Sequence, residues 1–460
     1  MHTRTWHLPV TRRMMLAWGS TAAVAAGLAC QRIGGLSGEG TERAGAPAQP
    51  VTIRYSFYAS DPEADVYRML AQQFKEQVMP NVTVETEHVV GIDYFEKLNT
   101  LIASGVEPEV MMWTTKNLAS AVVKGVFAEL DGFVKKSKTY KKEDIFPVEW
   151  EKNIWFGKLW ALPLTHSPLV IYFNRDMFDN AGLPGPSQRW DDPNWTWEAH
   201  LDLARKMTKL GGVKPQFGYD NGTSWWSVQP FMWSNGGDYL SADHTKVQID
   251  SPPVVEAFQW VADFWLKHHV SPLRGELQGS AVQQLINGQL AMFAAITSTA
   301  PVLVAEAQGV RWDVAALPRR REKAQTRNPQ LNAGLSARLR FAEESWRFLE
   351  YLCGEPGMRA LARLHRGLPA NQKVARSEDW LTPGSPVNWK VFLDAADGHA
   401  HPEHEIIKFP EMDRMIAEAY AQLREGKITA LQMAQDLKPR LEVLIRENTE
   451  LMNEYSRKGR

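Results

Sequence analysis

The sequence predicts an α/β chain of two lobes. Strand-like and helix-like stretches alternate through its first third, the signature of βαβ units. The chain has 460 residues, and the roughly 430 beyond an N-terminal leader are too many for one hydrophobic core.

The elements follow in order. Val51–Tyr58 alternates apolar and polar residues and reads as a first strand. Ala59-Ser60-Asp61-Pro62 caps a helix over Glu63–Gln77, with Val66, Met69, Leu70 and Phe74 on its apolar face. Val82–Val89 is a second strand, Tyr94–Ser104 a helix closed by Gly105, Glu109–Trp113 a third strand, and Leu118–Lys124 a helix. Further on, Leu169–Phe173 is a strand and Asn174-Arg175-Asp176 opens a helix. Thr196 caps a helix over Trp197–Leu210, and Val254–His268 is an amphipathic helix. A Gly288 turn joins a helix at Gln283–Ile286 to a buried strand ending at Phe293, and Arg311–Pro318 is another strand. Two helices broken at Gly426 fill Met412–Arg446.

The N-terminus has the form of an export signal over residues 1–29. Arg12-Arg13 precedes an apolar run, Leu16–Ala29, too short for a stable membrane span, and the paired arginines resemble a twin-arginine signal. Cys30 follows Gly27-Leu28-Ala29, which resembles a lipobox. That predicts lipidation of Cys30, an anchor at the membrane, and a Gly/Ser/Ala/Pro-rich tether over residues 30–51; the alternatives are an ordinary secretory signal with two basic residues and plain cleavage near Cys30.

Lys and Arg number 52 against 53 acids, a net charge of −1. Loss of residues 1–29 removes Arg4, Arg12 and Arg13, leaving 49 against 53, or −4. Neither balance supplies a basic field for nucleic acid. The two cysteines are Cys30 and Cys353, so no buried disulfide is expected, and Cys353 reads as a structural thiol. Eighteen tryptophans are unusually many, and Trp marks cores or ligand platforms.

The stretch Trp155–Phe178 holds a Gly-Lys turn, a rise to Pro163, a polar break at Thr165-His166-Ser167, and then the strand and helix start. It resembles the interlobe crossing of extracellular solute-binding proteins of ABC importers, in the group that holds maltose- and other carbohydrate-binding members. Other segments agree in order: Phe178–Leu183 followed by Trp195-Thr196-Trp197-Glu198, Trp233–Gly237 followed by Asp250-Ser251-Pro252, Asn287–Met292, Asn332-Ala333-Gly334, and Gly367–Ala370. The resemblance implies a type II periplasmic-binding-protein fold with a ligand cleft between lobes joined by hinge crossings. It places the N-terminal lobe at 52–164 and 336–382, and the C-terminal lobe at 165–335 and 383–460. It also implies a monomeric, exported protein, periplasmic or lipid-anchored at the outer face of the cell membrane. Such a protein captures a sugar or oligosaccharide, hands it to permease subunits, and uses no cofactor.

Loops at strand C-terminal ends face such a cleft. The candidate ligand-binding residues are therefore Tyr58, Ser60 and Asp61; Trp113, Thr114 and Lys116; Thr165 and His166; Trp225, Trp226, Trp233 and Asn235; Thr297 and Ser298; and Gly334 and Arg366. Aromatic faces would stack on sugar rings and short polar groups would take the hydroxyls. Trp225 and Trp226 read either as stacking platforms or as core, as do Trp113, Trp233 and Tyr58; Asp61 reads either as a ligand residue or as a helix cap. The family often has an acid where this chain has Lys116-Asn117, and a Trp where it has Ile296-Thr297-Ser298. Lys116 and Arg366 thus open an alternative: an anionic solute such as a glycerol or sugar phosphate.

Asp397-Gly398-His399-Ala400-His401-Pro402-Glu403-His404-Glu405 gathers metal-ligating types, but Pro402 and the lack of helical phase favour a solvated loop. The basic run Arg319-Arg320-Arg321, with Lys323 and Arg327, also reads as solvated. A glycosidase would need two carboxylates facing each other across the cleft, and only Asp61 is acidic among the candidates; no G-x-S-x-G, H-E-x-x-H or P-loop occurs. The chain reads as a non-enzyme.

Overall fold

The computed structural model describes residues 49–89, 93–211 and 214–458. The expected export signal, Cys30 and nearly all of the tether lie outside them. The strands are β1 (Val51–Tyr58), β2 (Val82–Val89), β3 (Val110–Thr114), β4 (Ile154–Trp155), β5 (Lys158–Leu159), β6 (Leu162–His166), β7 (Leu169–Asn174), β8 (Met292–Ile296), β9 (Trp312–Ala315), β10 (Gln330–Leu335) and β11 (Leu368–Pro369).

Two sheets organise two lobes. The first has the order β11-β6-β10-β3-β1-β2 and the second the order β8-β7-β9, while β4 and β5 form a small hairpin. β1 pairs in parallel with β2 and β3, as two βαβ units require. β10 pairs antiparallel with β3 and β6. Gln330–Leu335, expected at the end of the second lobe, therefore lies inside the first-lobe sheet. All six of its residues are buried, which suits a central strand covered on both faces.

The chain passes between sheets at Ser167-Pro168, between β6 and β7, and again between β9 and β10. The two crossings run side by side: Ser167 N–H donates to Pro329 O (2.9 Å) and Leu169 N–H to Arg327 O (3.2 Å). A third passage follows β11, since Phe392 packs on Tyr172 of β7.

Local signals set many boundaries. The Asn174 side chain accepts from Met177 N–H and that of Thr196 from Ala199 N–H, each capping a helix. Gly426, at φ +69°, separates the helices Phe409–Arg424 and Ala430–Lys458. The helix Asp61–Gln77 buries Ala64, Tyr67, Leu70, Ala71 and Phe74, whereas Met69 is exposed. Its core face is thus turned from the expected one. Tyr67 drives this by packing on Phe57 (4.6 Å between centroids) and Tyr55 (5.8 Å) of β1. Cys353 is buried, and burial pushes its thiol far above the ordinary range. Among the described residues no helix is long and apolar enough to cross a membrane.

Candidate functional site

On the first-lobe side, β3 ends at Thr114 and the helix Thr115–Val123 begins immediately. Trp113 packs edge-on against Phe95 (5.2 Å) and Phe127 (5.3 Å). Its Nε1 is buried without a hydrogen-bond partner, as is Thr114 Oγ1. A cavity of about 190 Å³ opens here, walled by Phe95, Asn99, Trp113, Asn117 and Ser120, with Pro410 of the Phe409–Arg424 helix closing it.

Lys116, the second residue of its helix, reaches across to the second lobe. Its Nζ lies 3.7 Å from the ring centroid of Trp226, which sits on the 3-10 turn Trp225–Val228. Desolvation pushes the Lys116 pKa down to about 8; Asp413 and Glu403 oppose the shift and Arg327 adds to it. Arg327 also lies over Trp226, 4.7 Å from the centroid. Both Trp225 and Trp226 donate Nε1–H to Asp413 Oδ1, at 2.8 and 2.5 Å. Trp225 is 1% exposed and meets Tyr239 edge-on, so it is built into the second-lobe core.

The floor beneath these rings is a buried polar network at the crossings. Glu149 takes Lys152 Nζ at 3.1 Å and Asn328 Nδ2 at 3.0 Å. His166 Nδ1 lies 2.7 Å from Asn328 Nδ2 and 3.6 Å from Glu149 Oε1, and desolvation lowers its pKa. Arg327 pairs with Glu403 at 2.7 Å. Burial pushes Glu405 up to about 8, against the pull of Lys152 and with the push of Glu403. Glu405 Oε1, Asn328 Oδ1 and Thr165 Oγ1 have no hydrogen-bond partner. Gly367 lies so close to Thr165 that a Cβ would meet its Oγ1 at 2.8 Å.

The structure thus gathers Trp113, Thr114, Lys116, Thr165, His166 and Trp226 around the lobe junction. Trp233 joins this rim from the second lobe, stacked 4.2 Å from His401 with its Nε1 unpartnered. Thr297 is buried, its hydroxyl 3.4 Å from Pro168 O at the first crossing, and Ser298 follows it half-buried. Tyr58 packs on Tyr94 and Phe95 beside the cavity wall. Arg366 is buried against Glu63 at 2.9 Å, and Ser60 N–H donates to Glu63 Oε2 (2.8 Å) at the start of the helix that Asp61 opens.

Two candidates stand apart. Asn235 donates to Pro253 O and Glu256 Oε2 at the start of the Pro252–Leu266 helix. Gly334 lies mid-strand opposite Met111, where a Cβ would meet Phe127 at 2.7 Å and Trp160 O at 3.0 Å, so close packing explains this glycine.

Sequence reasoning missed Glu149, Lys152, Arg327, Asn328, Glu403, Glu405 and Asp413. Two segments expected to be solvated supply three of these. Arg327 is 6% exposed, and in the same cluster Arg320 stacks on Trp197 at 4.4 Å. The His399–His404 loop is hydrogen-bonded along the second crossing, Thr326 N–H to His399 O and His401 N–H to Thr326 O. His404 is buried, its Nε2 2.8 Å from Asp238 Oδ2. Among the described residues no group of His, Cys, Asp and Glu could hold a metal ion.

Comparison with known proteins agrees with this two-lobed arrangement. A binding protein of Brucella abortus (strain 2308) is 24% identical over 306 residues, 66% of this chain and 72% of that protein. The sn-glycerol-3-phosphate-binding periplasmic protein of Rhizobium meliloti is 30% identical over 113 residues, 23% of this chain and 25% of that one. Among solved structures, an ABC substrate-binding protein from Listeria monocytogenes in complex with cycloalternan superposes with a TM-score of 0.78 at 20% identity, covering 87% of this chain and 100% of that one. A maltose-bound T. maritima protein gives 0.74 at 18% identity, covering 86% and 100%. Residues 69–384 match the family described as bacterial extracellular solute-binding protein. The chain belongs to that family.

Proposed function

We propose that this protein is the substrate-binding component of an ABC importer and takes a neutral sugar or short oligosaccharide between its lobes. One observation carries the neutral reading: the charges at the lobe junction are largely matched within the protein. Arg327 has Glu403, Lys152 has Glu149 and Arg366 has Glu63. Burial of Glu405 favours its uncharged form. A charged solute at any of these groups would have to break such a pair, leaving a buried charge uncompensated. A neutral polyol needs aromatic faces and unmatched polar atoms, as at Phe95, Trp113 Nε1, Thr114 Oγ1 and Thr165 Oγ1. Complexes of the similarly folded proteins with cycloalternan and maltose agree with this reading.

In this reading, ligand bridging the lobes favours the closed form by differential affinity. The closed form, exported and held by a lipid at Cys30, then meets permease subunits as a monomer, with no covalent step. The anionic alternative draws on the glycerol-phosphate-binding relative. It rests on Lys116, since Glu63 holds Arg366.

Thermal melting against neutral saccharides and sugar phosphates tests the proposal. Ligand at 100 times its Kd adds about 2.7 kcal/mol. A rise with a neutral saccharide and none with phosphates is expected; a rise with phosphates alone would reverse the assignment.

A further inference from the structure

Lys116 and Trp226 come from opposite lobes and meet at 3.7 Å, closing the space between them. Trp226 ties together both sides of the junction. Its Nε1 is held by Asp413, three residues after Pro410, which closes the 190 Å³ cavity. Its ring also lies against Arg327, whose partner Glu403 belongs to the floor at the crossings. On the helix Thr115–Val123, Asn117 and Ser120 line the cavity while Lys116 turns to Trp226. The cavity is smaller than the roughly 300–1,000 Å³ that drug-sized ligands occupy, a size that suits a single small ring. The unmatched polar atoms Asn328 Oδ1, Thr165 Oγ1 and Glu405 Oε1 belong to the floor beyond the clasp.

We infer that the Lys116–Trp226 clasp sets ligand length. It divides the junction into a one-ring chamber against Trp113 and a polar floor at the crossings, and Lys116 is the specificity-determining residue that keeps longer glycans out. The inference rests on the carbohydrate reading and adds a length limit to it. A cation on an indole face is held by the ring quadrupole and resists displacement by a neutral ring that lacks that charge. Removing the ammonium and its stem opens the chamber toward the floor.

The test is isothermal titration of wild type, Lys116→Ala and Trp226→Ala with a series of neutral glucans from one to six rings. Each variant's melting temperature is recorded without ligand, so that misfolding is seen directly. Trp226→Ala breaks the clasp from the other lobe and carries the test if Lys116→Ala does not fold. Wild type is expected to lose at least about tenfold in affinity between one and three rings, and the variants to bind both within about threefold. An unchanged length profile in both variants, with wild type binding, would overturn the clasp and leave the carbohydrate reading standing. No glucan binding by any of the three would remove the carbohydrate reading and the inference together.

Discussion

Arg327 and Glu403 meet at 2.7 Å, their side chains 7% and 12% exposed, one on the second crossing and the other on the loop hydrogen-bonded along it. The pair fastens that loop to the hinge. Removing one partner leaves a buried charge, so Glu403→Ala is expected to cost about 3–5 kcal/mol, whereas a paired Arg327→Met, Glu403→Leu replacement costs far less. Urea midpoints of the single and double variants check this. Equal losses in both would show that packing, not charge, holds the loop.

Trp225 and Trp226 are adjacent but should behave differently. Trp225 is 1% exposed, so Trp225→Ala is expected to cost about 3–5 kcal/mol of stability. Trp226 is half-buried at the junction, so Trp226→Ala should lower stability less and alter ligand binding more. Parallel melting and titration of the two variants separate the roles; equal stability losses would contradict them.

Two groups give opposite pH dependences. The Glu405 carboxyl has a pKa of about 8 when folded, against about 4.3 in an unfolded chain. Folding therefore takes up a proton, and stability falls as pH rises from about 4.3 to about 8, by at most about 1.4 kcal/mol per unit. Glu405→Gln should match wild type near pH 4 and exceed it near pH 8. Lys116, lowered to about 8 from about 10.4 unfolded, stays a cation at neutral pH and gives up its proton more readily when folded. It contributes a rise in stability between about pH 8 and 10.4 that Lys116→Met removes. Urea midpoints across this range test both signs, and variant curves parallel to wild type would refute the assignment.

Gly334 sits where a Cβ would press on Phe127 at 2.7 Å and Trp160 O at 3.0 Å. Gly334→Ala is expected to destabilise by about 1–3 kcal/mol through overpacking of the central sheet. The melting temperature of the variant checks this, and an unchanged value would return Gly334 to the list of ligand candidates.

Local chemistry made much of the fold legible. Strands β1 and β2 announce themselves by alternation, and Asn174, Thr196 and Gly426 mark helix ends by capping and positive φ. Trp113 and Lys116 are legible as junction residues because they sit at the end of a strand and the start of the next helix, and strand ends face clefts in α/β folds. The floor of the junction was not legible in this way. Arg327 meets Glu403 from 76 positions away, and Trp226 meets Asp413 from 187. A basic run and a His-rich loop have the local signature of solvated segments, and only the tertiary pairing neutralises and buries them. The placement of β10 was hidden for the same reason, since its partners β3 and β6 lie far back in the chain.

The central claim is that a neutral saccharide binds between the lobes. A crystal structure of the protein with the saccharide that most raises its melting temperature tests it most directly. The expected complex has a sugar ring against Trp113 and Asn117, beneath Pro410, with hydroxyls on Trp113 Nε1 or Thr114 Oγ1. A ligand seated on one lobe away from these residues, or a saccharide panel that leaves the melting temperature unmoved, would contradict it.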